Sequence, residues 1–285
     1  MKKYELTKET KVIGGKTLFR IRALRSFGDI KAGDLGGFIE NERNLSHGGN
    51  AWVGGNAQVN GYAQVGGNAW VEDNAQVGGN ARVSGDAWVN GDARVNGDAW
   101  VEDNARVDGD AWVGGYARVN GDAQVVGDAR VDGNAQVGGD AWVGGNARVN
   151  GNARVSGYAW VSDNAWVGDN ARIGGYTAIE DNAQVKDKAI VDGNARVRGY
   201  ARVSGNARVE GDAQVVDNAR VSGNAQVSGN ARVGGNARVV GNAWVGDNAK
   251  VSGNAWVCDE AWVIENAVIE GNAKVDGDAL VCDDD

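Results

Sequence analysis

A six-residue unit, repeated in unbroken phase from residue 51 to residue 284, is the feature that most constrains how this chain can fold. The first unit reads Ala51-Trp52-Val53-Gly54-Gly55-Asn56, and 39 units in all follow one another without insertion or deletion. A fixed short period is typical of solenoids, in which each repeat packs only against its neighbours. The sequence therefore predicts one repetitive architecture over about four-fifths of the chain.

Each unit has the pattern of a short strand followed by a turn. Ala and Val stand two residues apart, so on a strand both project to the same side, and we expect that side to be the interior. The residue between them then faces outward. The unit ends in Gly or Asp followed by Asn or Asp, residues that tolerate left-handed backbone angles and so turn the chain. Three such sides close a triangle, which predicts an all-β solenoid of about 13 coils.

This pattern resembles the hexapeptide-repeat left-handed β-helix family. Its consensus is an aliphatic residue, a small or acidic one, two free positions, a small residue and one free position, and Val83-Ser84-Gly85-Asp86-Ala87-Trp88 fits it. The resemblance implies a single-stranded, triangular, left-handed β-helix. Residues 33–40 resemble an uncharacterised bacterial and phage branch that carries the name transferase. A right-handed triangular helix, as in bactofilin filaments, is the alternative, because the pattern alone does not fix handedness.

Residues 1–50 lie outside the regular array, and we predict that they form an N-terminal β-rich cap on a β-helix of residues 51–285. Two apolar-rich runs flank Gly14-Gly15, a pair that suits a two-residue hairpin turn. A separate binding domain is the alternative for this region. Traced backwards, the repeat phase places Ile39 and Leu45 in the Ala position and His47 in the Val position.

The composition of the chain predicts its cellular location and shows how its net charge is distributed. The first residues contain no apolar segment and no run is long enough to span a membrane, which predicts a cytoplasmic protein that does not contact the membrane. Cys258 and Cys282 are four hexads apart, so on a three-sided coil they lie on different faces and should remain free thiols. Residues 1–50 carry a net charge of +4 and the remainder −13.

Nearly all of the larger side chains occur at the outward position between Ala and Val. All 11 Trp occupy it, together with most of the Arg and Gln. A step of 18 residues stacks these side chains in columns, for example Arg82, Trp100 and Arg118. The candidate surface-binding residues are one aromatic and one cationic column: Trp52, Trp70 and Trp88, and Arg202, Arg220 and Arg238. The pattern loosens over residues 177–198, where we expect any specialised patch.

The sequence favours a non-enzymatic function. A hexapeptide acyltransferase typically uses a His as general base, and the only His of this chain, His47, lies outside the array, in a position that favours packing. No catalytic residues, metal site or cofactor site is predicted. The Asn rows at the corners should form hydrogen-bonded ladders between coils, and the Asp rows are not expected to be Ca²⁺ sites.

We therefore expect a structural, scaffolding or interaction solenoid that displays outward Trp, Arg and Gln columns. The alternatives are a binding module for a carbohydrate or a protein, a hexapeptide-type acyltransferase, and an acidic mimic of nucleic acid. A nucleic-acid partner is not expected. The predicted assembly is a monomer or a dimer joined through the last coil, where Val268 and Leu280 face outward.

Overall fold

The computed structural model describes residues 2–282, which form an all-β, single-stranded solenoid preceded by a strand pair, as predicted. The described residues divide into two compact units, residues up to 140 and residues from 141 onward. The boundary predicted at residue 50 stays a prediction, as does the left-handed sense implied by the resemblance.

The N-terminal region begins with the predicted hairpin. Strands β1 (Tyr4–Ile13) and β2 (Lys16–Ala23) pair antiparallel, and β3 (Leu35–Ile39) pairs with β2. The hairpin turn is Gly14-Gly15, with φ of 54° and 77°, angles that glycine adopts without strain. A single 3₁₀ turn, Glu42–Asn44, follows and leads into the repeats.

Every repeat contributes one two-residue strand, and the strands of each unit form three parallel rows. In the first unit the rows are Trp52–Val53, Trp70–Val71, Trp88–Val89, Arg106–Val107 and Gln124–Val125; Gln58–Val59, Gln76–Val77, Arg94–Val95, Trp112–Val113 and Arg130–Val131; and Gln64–Val65, Arg82–Val83, Trp100–Val101, Arg118–Val119 and Gln136–Val137. These strands make five coils.

The second unit has eight strands in each row. They are Trp142–Val143, Trp160–Val161, Ala178–Ile179, Arg196–Val197, Gln214–Val215, Arg232–Val233, Lys250–Val251 and Val268–Ile269; Arg148–Val149, Trp166–Val167, Gln184–Val185, Arg202–Val203, Arg220–Val221, Arg238–Val239, Trp256–Val257 and Lys274–Val275; and Arg154–Val155, Arg172–Ile173, Ile190–Val191, Arg208–Val209, Gln226–Val227, Trp244–Val245, Trp262–Val263 and Leu280–Val281.

The interior consists of the Ala and Val positions, as the alternation predicts. Almost all of them are fully buried; Ala201 and Val203, for example, are both 0% exposed. Thr177 replaces Ala at one interior position, and its hydroxyl donates to the Gly174 carbonyl at 2.9 Å, so no polar group is left unpaired there. Adjacent coils are joined by backbone bonds such as Arg202 N–H to the Ala219 carbonyl at 2.9 Å.

The corners are joined by side chains at the same 18-residue spacing. Asn206 Nδ2 donates to Asn224 Oδ1 at 2.9 Å, and Asn224 Nδ2 donates to Asn242 Oδ1 at 2.9 Å. Similar bonds recur along the other corners, which confirms the predicted ladders. An amide side chain suits such a row because it both donates and accepts.

A second kind of corner bond explains why Asp can replace Gly where φ is positive. Asp217, with φ of 61°, accepts through Oδ2 the N–H of Gly235 in the next coil at 2.9 Å. All nine Asp residues at positive φ make this bond, at 2.8–3.2 Å: Asp73, Asp103, Asp163, Asp169, Asp181, Asp187, Asp217, Asp247 and Asp259. The bond offsets the backbone strain that a non-Gly residue incurs there.

The repeat phase predicted for residues 39–50 is wrong, as the strand pairing of the first coil shows. Ile39 pairs with Val59 and Leu45 pairs with Val65, so both occupy the Val position and not the Ala position. The interval from Leu45 to Val53 is eight residues instead of six. The two additional residues lie in the Ser46-His47-Gly48-Gly49 corner and place His47 outside the array, not in a Val position.

Candidate functional site

The outward columns form as predicted. Trp100 pairs with Arg82 in one neighbouring coil and with Arg118 in the other. Their guanidinium carbons lie 4.9 Å and 5.5 Å from the centre of the indole ring, within the range of a cation–π contact. This column therefore has an internal stabilising role, worth about 0.5–1 kcal/mol per contact at an exposed site.

The prediction that Trp52 offers its ring at the surface is wrong. Its side chain is 2% exposed, because the N-terminal region covers it. Phe27 packs edge-on against the indole at 5.5 Å between ring centres, and a Cβ added to Gly36 would lie 2.6 Å from Trp52 Cζ2. The rings of Trp70 and Trp88 stack with 6.0 Å between their centres. Of the three predicted binding residues in this column, only these two remain candidates.

A Gly two positions after a Trp lets the indole lie against the surface, but a larger residue there does not by itself expose the ring, because Trp70 and Trp100 precede Glu72 and Glu102 and are only half-buried. Five Trp residues have Gly there (Trp52, Trp112, Trp142, Trp166 and Trp244), and none of the five is exposed. Trp142 lies over Gly144, since a Cβ on Gly144 would come within 2.1 Å of its ring. The four exposed Trp residues, each 42–47% exposed, have a larger residue at that position: Trp88, Trp160, Trp256 and Trp262.

The structure brings together the second predicted column, which we call the arginine ladder: Arg202, Arg220 and Arg238. The three residues pair in register in successive coils and are all exposed. No carboxylate of the described residues forms an ion pair with any of them. Three like charges one strand spacing apart, about 4.8 Å, repel one another. The ladder is therefore an unneutralised cationic row.

An aromatic patch lies at the edge of the region where the repeat pattern loosens. Trp142 and Trp160 stack with 3.9 Å between ring centres, and Tyr158 and Tyr176 stack at 4.7 Å. The next residue in the Trp column is Ala178, which pairs with Trp160 in register and is too small to cover it. Sequence reasoning singled out Ala178 but gave no account of the tyrosines, whose corner positions place them beside this Trp column.

His47 is held by the N-terminal region. Its ring stacks on Tyr4 at 4.4 Å, and its Nδ1 accepts the backbone N–H of Lys3 at 3.2 Å. In the neutral imidazole the other nitrogen must then carry the proton. Nε2 is buried without a hydrogen-bond partner among the described residues, 3.9 Å from the Glu42 carboxylate. A proton on Nε2 leaves this nitrogen without the lone pair that a general base requires.

A cleft of about 490 Å³ lies between the corner that holds His47 and the first coils. Two of its lining residues, Arg43 and Arg82, are cationic, but Arg43 rests on the Tyr62 ring at 4.3 Å and Arg82 on Trp100. The acidic lining residue, Glu42, accepts a bond from Lys2 at 2.6 Å, and this bond is the main reason that its pKa is lowered. The remaining lining residues include Gln64 and Ser84.

Lys3 is a buried charge that sequence reasoning missed. Its side chain is 0% exposed, and its Nζ donates to the Ala51 carbonyl at 2.7 Å and lies 4.9 Å from the Phe27 ring centre. Burial, assisted by Arg25, lowers the pKa of Lys3 to about 8. Because the ammonium binds the carbonyl at the start of the repeats, we assign it a structural role. Nothing in the Met-Lys-Lys start distinguishes Lys3 from Lys2.

The possible metal ligands and the two thiols were located within residues 2–282. No cluster of three or more His, Cys, Asp or Glu side chains there could hold a metal ion. Both cysteines are free, as predicted, and burial is the main reason that the pKa of the Cys258 thiol is raised. None of the helical segments described could cross a membrane.

Parts of the repeat are similar to a known repeat family. Six segments match a family model described as the YdcK beta solenoid repeat: residues 75–91, 141–157, 147–163, 201–216, 213–229 and 231–247. Together they cover less than half of the chain. No curated protein matches the sequence. The predicted resemblance to a bacterial and phage transferase branch stays a prediction.

Solved structures that are similar to this chain include acyltransferases. A UDP-N-acetylglucosamine acyltransferase from Arabidopsis has a TM-score of 0.38 and 18% identity over 65% of this chain and 69% of its own. The corresponding enzyme (LpxA) of Moraxella catarrhalis has a TM-score of 0.27 and 13% identity over 65% and 67%. That of Campylobacter jejuni has a TM-score of 0.24 and 16% identity over 73% and 72%. These likenesses concern the fold alone.

The environment of His47 predicts its tautomer. Because Nδ1 accepts the Lys3 N–H, the neutral ring should carry its proton on Nε2. Nitrogen-15 NMR at a pH above the titration of the ring measures this directly, and the single His of the chain makes the assignment unambiguous. A spectrum of the Nδ1-protonated form would contradict the geometry and would free Nε2 to act as a base.

Proposed function

We propose that this protein is a non-enzymatic scaffolding or interaction solenoid that presents columns of outward side chains. One observation carries the proposal: most of the polar groups at the corners are used in bonds between coils, whereas the outward Arg side chains, most of the outward Gln side chains and four of the Trp side chains are exposed. Asn224, for example, bonds to both neighbours in its row, but Arg220 has no ion-pair partner among the described residues.

The state of His47 supports the absence of acyl transfer. A general base needs a free lone pair directed at the substrate, and the Nδ1 lone pair of His47 is occupied by the Lys3 N–H. Stacking on Tyr4 further restricts the ring. The hydroxyl of Tyr4 donates to the Leu45 carbonyl at 2.9 Å, and burial raises the pKa of this phenol. These contacts favour a packing function for His47.

The predicted assembly, a monomer or a dimer joined through the last coil, stays part of this proposal. Leu280 is 60% exposed and Val268 is 53% exposed on that coil. Leu280 also continues the column of Trp262, which increases the apolar surface on that face. Exposed apolar neighbours such as Leu280 and Trp262 are typical of contact surfaces, and Val268 lies in a different row of the same coil.

The proposal predicts no acyl-donor turnover. Purified protein incubated with acetyl-CoA and a panel of amino-sugar acceptors should release free CoA at the rate of a buffer control, and His47→Ala should not change that rate. CoA release is measured with a thiol reagent after the protein has been removed, since the chain contains two free cysteines. Turnover by the natural protein that disappears in His47→Ala would overturn the proposal.

A second candidate function, carbohydrate binding, is favoured by the aromatic patch. Exposed aromatic rings offer flat apolar faces, and Trp160 is 44% exposed with Ala178 beside it. The cytoplasmic location predicted from the sequence would then restrict the partners to intracellular glycans.

If the patch binds carbohydrate, neutral oligosaccharides should shift the tryptophan emission, and Trp160→Gln should weaken this binding roughly tenfold. Gln is the residue that many coils carry at this position, so the fold should be retained. Trp166→Gln is the matched control, because Trp166 lies over Gly168 with its Nε1 bonded to Asn150 Oδ1 at 3.0 Å. Equal loss in both variants, or no binding at all, would reject this second candidate.

A further inference from the structure

The arginine ladder has a counterpart of opposite charge in the same chain. Asp92, Asp110 and Asp128 occupy one corner position in three successive coils of the first unit, and we call them the aspartate ladder. Asp occupies a final corner position in three successive coils only here, and Arg occupies an outward position in three successive coils only in the arginine ladder. Both ladders therefore have the same length and the same 18-residue period.

The aspartate ladder makes none of the bonds that satisfy other corner residues. Asp98, for comparison, accepts Nδ2 of Asn80 at 2.9 Å. The three carboxylates of the aspartate ladder are exposed, and within residues 2–282 they have no side-chain hydrogen bond or ion pair. Arg94 and Arg130 stand on the adjacent strands but beyond ion-pair distance. Stacked carboxylates repel as stacked guanidinium groups do, so each ladder would be stabilised by charges of opposite sign.

A depression adjoins the aspartate ladder. Its volume is about 310 Å³, and Asp110 and Asp128 form part of its lining together with Arg94, Trp112 and Arg130. Two carboxylates at its border can each accept both N–H groups of an incoming guanidinium, the strongest geometry available to an Arg–carboxylate pair. The two carboxylates can thus bind arginine side chains of another surface, and they would do so beside the two cations of the lining, Arg94 and Arg130.

The spacing of the charges selects the partner. Successive rungs of either ladder are one strand spacing apart, about 4.8 Å. Side chains on one face of an extended acidic peptide recur at about 6.6 Å, twice the rise per residue of a strand. Phosphates along one strand of B-DNA advance by about 3.4 Å along the axis. Carboxylates at the spacing of the arginine ladder are found on a parallel, in-register solenoid, and this chain supplies such a row.

We infer that the arginine ladder of one copy of this chain binds the aspartate ladder of a second copy, so that the protein self-associates side by side through matched rows of charge. The inference rests on the proposed scaffold function and specifies a second copy as a partner. The contact is distinct from the last coil, because both ladders lie elsewhere in the sequence. The acetyl-CoA assay and an association assay measure different properties, so either proposal can fail without the other.

Sedimentation velocity tests the inference. At about 50 mM NaCl and about 100 µM protein, the natural chain should form dimers or larger species that dissociate at about 500 mM NaCl, because salt screens exposed charges. Replacing the arginine ladder by Gln, or the aspartate ladder by Asn, should weaken association about tenfold or more. Both replacements are residues that these positions carry in other coils, so the fold should be retained. A chain that stays monomeric at low salt would overturn the inference.

Two matched controls separate the ladders from net charge. Arg196→Gln/Arg232→Gln/Lys250→Gln removes three exposed cations from a different row of the second unit. Asp86→Asn/Asp98→Asn/Asp122→Asn removes three corner carboxylates that already accept Asn side chains. Both controls should associate like the natural chain. An equal loss of association in the controls would assign the effect to net charge and reject the ladder contact.

Reversing the charge of each ladder in a separate variant gives the most direct test of the contact. A variant with Glu throughout the arginine ladder and a variant with Lys throughout the aspartate ladder should each be monomeric, but an equimolar mixture should associate. Lys188 shows that a corner position accepts Lys. The first variant would have a net charge of −15 and the second −3, so overall charge opposes mixing. Failure of the mixture to associate, with both variants folded by circular dichroism, would overturn the inference.

Discussion

The hydrogen bonding of each residue to the residue about 18 positions later is the constraint on which this structure depends. Backbone bonds such as Arg202 N–H to Ala219 O fix the register of every row. Once the register is fixed, each residue stacks on the residue that holds the same position of the hexad in the next coil. One column of side chains can therefore be followed through successive coils. The burial of Ala and Val, the amide ladders and the like-charge rows all follow from this single relation.

That register also gives each position of the hexad a different structural requirement. The interior accepts little besides Ala and Val, and the corners need residues that tolerate positive φ or that both donate and accept hydrogen bonds. Only the outward position is free of these demands, which explains why side chains as different as Trp, Arg and Gln occur there. The outward columns are therefore the part of the repeat whose residues vary most, and His47 packs against Tyr4 outside the array.

The repeated part of the fold could be predicted from the sequence because its determinants are local and recur in every unit. The hairpin of the N-terminal region could also be predicted, but the phase of residues 39–50 could not, because two additional residues near His47 shift the register and nothing in the hexad pattern indicates them. The burial of Trp52 could not be predicted either, because its position in the repeat is outward and only the structure shows that Phe27 and Gly36 cover it. The role of Asp at positive φ required the position of the next coil, which only the structure gives.

The side-chain ladders between coils are tested most directly by comparing Asn224→Ala with Asn218→Ala in urea unfolding. Both residues occupy the same exposed corner position, but Asn224 bonds to Asn206 and Asn242, whereas the Asn218 side chain has no hydrogen bond among the described residues. We expect Asn224→Ala to lower the free energy of unfolding by about 1 kcal/mol and Asn218→Ala to change it by much less. Equal losses in the two variants would contradict this expectation.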